Sequence, residues 1–529
     1  MYIDYNVKIR ILGIYLNYVK IKKRRKKCVI RKLIKLIDIY NNYYLEENAK
    51  KEYCVNNCKL DNDQKRAIYS DELKNLIIAG AGSGKTLTII GKINYLIEKK
   101  NILPEEIICL SFTNEACNNL TSRLKYAVNV LTFHKFALSL IKTQYFLCSN
   151  NVLDYVIDEY FHSIVIEDKK IQKKIMKCLG KKDYNNYTYY LKGNEIRNLK
   201  QEIKSFICQL KSYGYSLTKL LSIKKYQYRH LIVIIADVLY LYLNELRSTN
   251  HIDLDHLITI ATKEIKKQNL FYKYIIIDEF QDISKIRLGL VEEVIKKSGA
   301  KLMAVGDDYQ SIYEFSGCNM NYLLKIYNSK YDTKVIYLKN NYRCSDEVVR
   351  VSTKFVCKNK KQIKKEIHSN KNITPSIIIV KESPNILEKV LNSISDVQEI
   401  MILGRNNNDI FSYLNSNLLY DKGNIILKNI NVSIKYKTVH SAKGLEADCV
   451  ILINLKNSLL GFPSQIKTNN LINEMFKKEK YEFASERRLF YVALTRTKKK
   501  IYLLYPDNPS IFLKEIIKDN KKSITYLDL

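Results

Sequence analysis

The stretch Ala79-Gly-Ala-Gly-Ser-Gly-Lys-Thr86 carries three glycines, a lysine and a hydroxyl in the spacing of a phosphate-binding loop. Without Cβ atoms at Gly80, Gly82 and Gly84, the backbone can wrap closely around a polyphosphate. The N–H groups along Gly80, Ala81, Gly82, Ser83 and Gly84 then point inward. Lys85 is placed to reach β- and γ-phosphates, and the Thr86 hydroxyl to ligate Mg²⁺. A second group lies at Tyr274-Ile-Ile-Ile-Asp-Glu279, where an apolar run ends in two carboxylates. Asp278 is suited to hold Mg²⁺ through water, and Glu279 to orient and deprotonate an attacking water. The chemistry these types imply is hydrolysis of a nucleoside triphosphate.

Such groups must be positioned by strands and helices, and the surrounding pattern supplies both. An apolar run, Leu76–Ile78, precedes the glycine loop and a helix-like segment follows from Leu87: strand, turn, helix start. From Leu60 onward short apolar strands alternate with helical segments, the signature of α/β units with parallel sheets. The expected strands are Leu76–Ala79, Ile107–Phe112, Tyr274–Asp278 and Leu302–Val305. A second series begins near Val335 and continues through Ile377–Val380, Ile400–Leu403, Val450–Ile453 and Ile501–Leu504. Between about Phe136 and Asn269 the strand pattern lapses into Lys, Tyr, Ile and Leu at helical spacing, as for a helical insertion. The expected organisation is a basic helical segment at 1–55, a first lobe from 56–135 and 255–330, an insertion at 136–254 and a second lobe at 331–529. Proline is scarce and no linker stands out, so the lobes are expected to pack directly, with a crevice between them.

The chain has 529 residues, enough for several cores, and a formal charge of +34 that favours polyanionic partners. Its richness in Lys, Asn, Ile and Tyr also fits AT-rich coding, which supplies part of the lysine excess. The 12 cysteines are scattered, mostly in apolar segments, as expected of reduced thiols rather than a disulfide framework. Cys54 and Cys58 have no second pair nearby to complete a zinc site. No apolar stretch reaches the ~20 residues needed to span a bilayer, so an intracellular protein without a membrane partner is expected. The basic run Lys22-Lys-Arg-Arg-Lys-Lys27 reads as a solvated helix face in so lysine-rich a chain.

Further strings extend the two chemical groups into a specific pattern. They are Leu60-Asp-Asn-Asp-Gln-Lys-Arg-Ala67, Ser111-Phe-Thr-Asn-Glu-Ala116, Thr132-Phe-His134, Val305-Gly-Asp-Asp-Tyr-Gln-Ser-Ile-Tyr313, Asn341-Tyr-Arg343, Thr438-Val-His-Ser-Ala-Lys-Gly-Leu-Glu446 and Glu486-Arg-Arg-Leu-Phe-Tyr-Val-Ala-Leu-Thr-Arg496. In this order they resemble a superfamily 1 DNA helicase of the UvrD/Rep type. Tyr313-Glu-Phe-Ser-Gly317, Leu403-Gly-Arg405 and the run to Asp448 lie closest to the helicase IV branch. The resemblance implies two RecA-like P-loop NTPase lobes and a helical insertion in the first. It also implies ATP and Mg²⁺ as cofactors, and DNA, above all single-stranded DNA, as partner.

By resemblance Gln64 reads the adenine edge, Tyr342 stacks on adenine and Glu446 contacts the ribose or phosphate region. Gln310, Arg343 and Arg496 sense and stabilise the γ-phosphate, and an arginine from a facing lobe ties lobe closure to nucleotide state. Phe112, Tyr313 and Phe315 offer faces for bases, and Thr113, Asn114, Thr132, His134 and His440 polar contacts. The family implies 3′→5′ movement in replication, repair or recombination.

Three departures qualify the expectation. Leu87 stands where better-known relatives carry an arginine opposite the adenine-stacking tyrosine, and Ser316 where many carry a cation. Fewer than a hundred residues separate Arg343 from His440, so the large second-lobe insertion of those relatives is absent or vestigial. A translocase that strips proteins from single strands without efficient unwinding therefore stands beside the helicase reading, as does a non-enzymatic nucleic-acid-binding relative. Only about thirty residues follow Arg496, and they hold no acidic cluster for a nuclease.

Overall fold

A computed structural model of the protein describes residues 23–529 except 142–145, 149–150, 182–186, 192, 224–225, 330–332, 428–431, 467–470, 472–474 and 477–478. The chain enters through helix α1 (Lys23–Lys50), which packs on α2 (Asn62–Tyr69). The basic hexamer at 22–27 lies outside the residues whose side chains are described. Helix α2 starts where it does because Asp61 and Gln64 cap it reciprocally: Gln64 N donates to Asp61 Oδ1 at 2.8 Å and Asp61 N to Gln64 Oε1 at 3.0 Å.

Six strands form the first sheet: β1 (Lys74–Ala79), β2 (Ile107–Ser111), β3 (Asn129–Thr132), β4 (Tyr274–Ile277), β5 (Lys301–Gly306) and β6 (Thr333–Leu338). Their order is β6-β1-β5-β4-β2-β3, all parallel. The runs are almost wholly apolar because helices cover both faces. Alternate residues divide between two cores: Leu76, Ile78, Ile275 and Ile277 into one, Ile77, Ala79, Tyr274 and Ile276 into the other. The carboxyl ends of β1, β5 and β4 are neighbours, so the glycine loop, Asp307 and Asp278 leave the sheet side by side, where ligands bind in such sheets. Helix α3 (Lys85–Lys100) follows the loop directly.

The second lobe does not begin at 331. Strand β6 belongs to the first sheet, with Val335 opposite Leu76, and the first lobe runs to Leu338. A crossover from β5 lays β6 at the far side of β1, and a strand's own pattern does not say which sheet it joins. The insertion is likewise shorter than 136–254, since Phe136, Ala137, Leu140 and Ile252 lie in the first-lobe core. A separate apolar core extends from Leu153 to Leu246, built largely on α4 (Asn194–Ser212) and α5 (Arg229–Ser248). Leu471 and Phe476 from the far end of the chain complete it, the Phe476 ring lying 4.9 Å from that of Tyr213. The insertion is thus packed against both lobes.

The second sheet contains β7 (Ile377–Lys381), β8 (Glu399–Gly404), β9 (Leu418–Asp421), β10 (Asn424–Leu427), β11 (Ser433–Thr438), β12 (Ala447–Leu452), β13 (Thr497–Tyr505) and β14 (Thr525–Leu527). The order is β9-β10-β11-β8-β12-β13-β7-β14, parallel except for the β9–β10 and β10–β11 pairs. Helices α6 (Asp346–Val356) and α7 (Ala484–Leu494) pack together on it. The sequence pattern shows β7, β8, β12 and β13 but not the short β9–β10 hairpin or β11, whose lysines interrupt its apolar residues. Between β8 and β11 the described residues form a single helical turn, Asp409–Tyr413, and that hairpin.

Ile276 sits fully buried in the middle of the first sheet. Replacing it by alanine should destabilise the first lobe by about 2–5 kcal/mol, read as an earlier chemical-denaturation transition with little shift in that of the second lobe.

Candidate active site

The glycine loop has the backbone its glycines permit: Gly82 and Gly84 take φ of +69° and +77°, the left-handed region that disfavours other residues. A Cβ on Gly82 would fall 2.6 Å from Cβ of Arg343, and one on Gly84 would collide with the Gln64 side chain. Lys85 leaves the loop toward Glu279, Nζ to Oε1 at 3.2 Å. Glu279 itself adopts φ of +51°, so the chain turns sharply at the end of β4 and its N–H donates to Asp278 Oδ1 at 2.9 Å.

From Glu279 a chain of contacts crosses the site. Gln281 Nε2 donates to Glu279 Oε2, and Gln281 Oε1 accepts the Asp307 N–H at 2.9 Å. Asp307 Oδ2 accepts Gln310 Nε2 at 2.6 Å, and Gln310 Oε1 accepts Nη2 of Arg496, from the second lobe, at 3.2 Å. Arg496 is 1% exposed, its other N–H groups donating to carbonyls of Val492 and Leu445. Burial, then the nearby Arg343 charge, lowers its pKa to about 10, still cationic at neutral pH. Burial and the adjacent Glu279 raise Asp278. For Glu279 burial acts upward too, but the cations of Lys85 and Lys443 outweigh it and hold the carboxyl below its ordinary value. The arrangement keeps one carboxylate ionised beside a second that resists ionisation without a cation.

The second lobe grips the glycine loop through its backbone. Asn341 Nδ2 donates to Ala81 O at 2.7 Å, Tyr342 N to Gly82 O at 2.8 Å, and Ala81 N to the Tyr491 hydroxyl at 3.5 Å. Arg343 pairs with Glu446, Nε to Oε2 at 2.6 Å, and Lys443 pairs with Asp282 while donating to Gln310 O at 2.8 Å. Lys85, Glu279, Gln310, Arg343, Arg496 and Glu446 are thus brought around one crevice. Thr86 opens α3 beside Lys85.

The base-side residues divide. The ring of Tyr342 is half exposed and its hydroxyl donates to Asp61 Oδ2 at 2.5 Å; together they border an open cleft of about 640 Å³ that also includes Leu60, Asn62 and Arg66. Gln64 is buried, and its carboxamide is engaged with Asp61 N and with Ser83 O at 3.3 Å, so here it braces the loop. Leu87 packs on the first-lobe core.

Away from this crevice, Tyr313, Phe315 and His440 gather across the two lobes, the Phe315 ring 5.6 Å from His440 and half exposed. Tyr313 donates to the His440 carbonyl at 3.1 Å. Phe112 carries the Arg287 guanidinium over its ring at 5.4 Å, and Asn114 is exposed. Thr113 and Thr132 cap the N-termini of their helices, accepting from Ala116 N and Lys135 N. Burial lowers His134 and His440 to about 4, aided by Arg287 at the first and by Arg405 and Lys443 at the second.

Sequence reasoning missed Gln281, Asp307, Asn341, Lys365, Lys443 and Tyr491 as individual participants. Most stand inside the strings quoted above, and their chemistry follows from that neighbourhood. Lys365 stands in a lysine-rich run with nothing to distinguish it.

Residues 60–331, just over half of the chain, match the family model of the UvrD/REP helicase N-terminal domain, and residues 413–508 that of the UvrD-like helicase C-terminal domain. The chain is similar to DNA helicase IV of Escherichia coli (strain K12), 26% identical over 91% of this chain and 73% of that protein. It is 29% identical to ATP-dependent DNA helicase Rep of Buchnera aphidicola subsp. Schizaphis graminum over 69% of this chain but only 53% of Rep. A probable DNA helicase of Mycoplasma pneumoniae is 25% identical over 87% of both chains.

A histidine whose folded pKa lies below its unfolded value of 6.5 contributes stability that is present above that pH and is lost as pH falls toward 4. The melting temperature of the wild-type protein should therefore fall more steeply between pH 6.5 and 4 than that of His440→Asn; parallel curves would contradict the burial of the neutral ring.

Proposed function

The chain belongs to the UvrD/REP helicase family, and we propose that it is an ATP-driven motor that moves 3′→5′ along single-stranded DNA and separates strands, in replication, repair or recombination. The observation that carries the reading is the continuous chain Lys85–Glu279–Gln281–Asp307–Gln310–Arg496, which joins the glycine loop to a buried arginine of the other lobe.

In this reading the inward N–H groups of the loop and Lys85 hold the phosphate tail, and the Tyr342 ring receives the base at the open cleft. Thr86 and Asp278 hold Mg²⁺, which neutralises phosphate charge when bound. No group of three or more His, Cys, Asp or Glu suited to a metal occurs among the described residues. One carboxylate and one hydroxyl are the sparse protein set that Mg²⁺ shares with phosphates and water. Glu279, kept ionised by Lys85 and Lys443, orients the water and takes its proton. Arg343 and Arg496 supply positive charge from the second lobe, so hydrolysis is fast only when the lobes are closed. Each turnover then alters how Tyr313, Phe315 and His440 meet across the lobes, moving the strand held there. The charge of +34 and the aromatic faces suit a polyanion with unstacked bases. No helix among the described residues is long and apolar enough to cross a membrane.

ATP turnover stimulated by single-stranded DNA should fall on the order of 10²- to 10³-fold in Lys85→Ala and in Glu279→Gln. Absence of such turnover in the wild-type protein would leave a binding protein and end the enzymatic reading.

The small hairpin between β8 and β11 favours a second reading, a translocase that clears proteins from single strands. Tailed duplexes of either polarity, assayed beside streptavidin displacement from single-stranded DNA, separate the two. Efficient unwinding of 3′-tailed duplex by the monomer supports the helicase; displacement without unwinding supports the translocase.

A further inference from the structure

Lys365 follows α6 in the second lobe, yet its ammonium is buried in the first. Its side chain is 3% exposed and lies among three oxygens: a carboxylate oxygen of Asp307, Asp308 Oδ1 at 2.6 Å and the Ala79 carbonyl at 3.2 Å. The ammonium also stands 3.7 Å from the centre of the Tyr309 ring. The two carboxylates are fully buried neighbours in sequence, and two such charges repel unless a cation sits between them. The other cations nearby are engaged elsewhere: Lys85 with Glu279, Lys443 with Asp282, Arg496 with Gln310.

The segment around Lys365 binds the same loop by its backbone. Ile363 N donates to Asp308 Oδ2 at 2.8 Å, and the Tyr309 hydroxyl donates to Ile363 O at 2.7 Å. The Asp307 carboxylate meanwhile accepts Gln310 Nε2, and the Asp307 N–H holds Gln281, which holds Glu279. The geometry of both Gln310 and Glu279 therefore depends on where Asp307 is kept. Asp307 is kept by a cation from the facing lobe.

We propose that Lys365 is a positioning residue that locks the Asp307–Gln310 loop across the two lobes, aligning Gln310 and Glu279 without touching the nucleotide. Its kinetic consequence rests on the ATPase reading above; the lock itself does not. A buried cation shared by both lobes stabilises the closed arrangement, and its release is a step that lobe opening must include.

The test uses the full chain with Lys365→Met and Lys365→Arg, the second retaining charge should the first fail to fold. Amide hydrogen exchange in the nucleotide-free protein should speed up about tenfold or more at 307–311 and 359–367 in Lys365→Met. Exchange in α5 should be unchanged. Lys365→Arg, which keeps the charge but replaces a compact ammonium by a planar fork, should show an intermediate rise. In DNA-stimulated turnover, kcat should fall about tenfold or more with the KM for ATP within about threefold, since small misplacements of catalytic groups act on the transition state. Wild-type exchange at 307–311 in both variants overturns the lock. Faster exchange with unchanged kcat per folded molecule overturns the positioning role and leaves a purely structural ion pair. If the wild-type protein shows no DNA-stimulated turnover, the functional reading falls while the exchange comparison still decides the lock.

Discussion

The organisation of this protein hangs on one buried carboxylate, that of Asp307. It lies at the end of β5, between the strand that ends in the glycine loop and the strand that ends in Asp278 and Glu279. Its side chain and backbone together engage Gln310, Gln281 and Lys365. A fully buried carboxylate is tolerated only when its lone pairs are met and its charge is balanced. Here the partners are the Tyr309 N–H of the same loop, two glutamines of the candidate site and a cation of the facing lobe. That requirement makes the lobe contact and the placing of Gln310 and Gln281 a single arrangement.

The parallel sheet makes such a hub possible. Because β1, β5 and β4 are adjacent and run the same way, their carboxyl ends deliver the glycine loop, Asp307 and Asp278 to one edge, though nearly two hundred residues of chain separate β1 from β4. Helices on both faces force the strands to be apolar, so the polar groups are confined to the strand ends. The second lobe meets that edge with Asn341, Arg343, Lys443, Tyr491 and Arg496, drawn from loops and from α7. The insertion is part of the same structure: Ser212, at the end of α4, donates to Ser316 O in the loop that carries Phe315, and Phe476 of the second lobe fills the insertion's core.

Much of this was legible in advance because some chemistry needs particular residues in fixed order. Gly82 and Gly84 are glycines since their φ values are positive, and Lys85 and Thr86 follow at the spacing of a phosphate-binding loop. The apolar runs at β1, β4, β5, β7, β8, β12 and β13 are readable because a strand buried on both faces must be apolar throughout. The lobe to which 333–338 belongs is not legible, because its pattern is local while its pairing with β1 is not. The bracing of Ser83 by Gln64 was not legible, because the two residues meet only when the glycine loop folds back onto the start of α2.

The sequence by itself determined the α/β class, the glycine loop, the paired carboxylates at a strand end and the order of the strings that mark the family. These depend on residue type at short spacing, which folding cannot alter. Only the tertiary structure decided which groups share the crevice, that β6 joins the first sheet, and that Lys365, one of 88 lysines and arginines, is the buried counter-charge of Asp307 and Asp308. Composition cannot single out one lysine, because what sets it apart is burial between carboxylates brought together from distant parts of the chain.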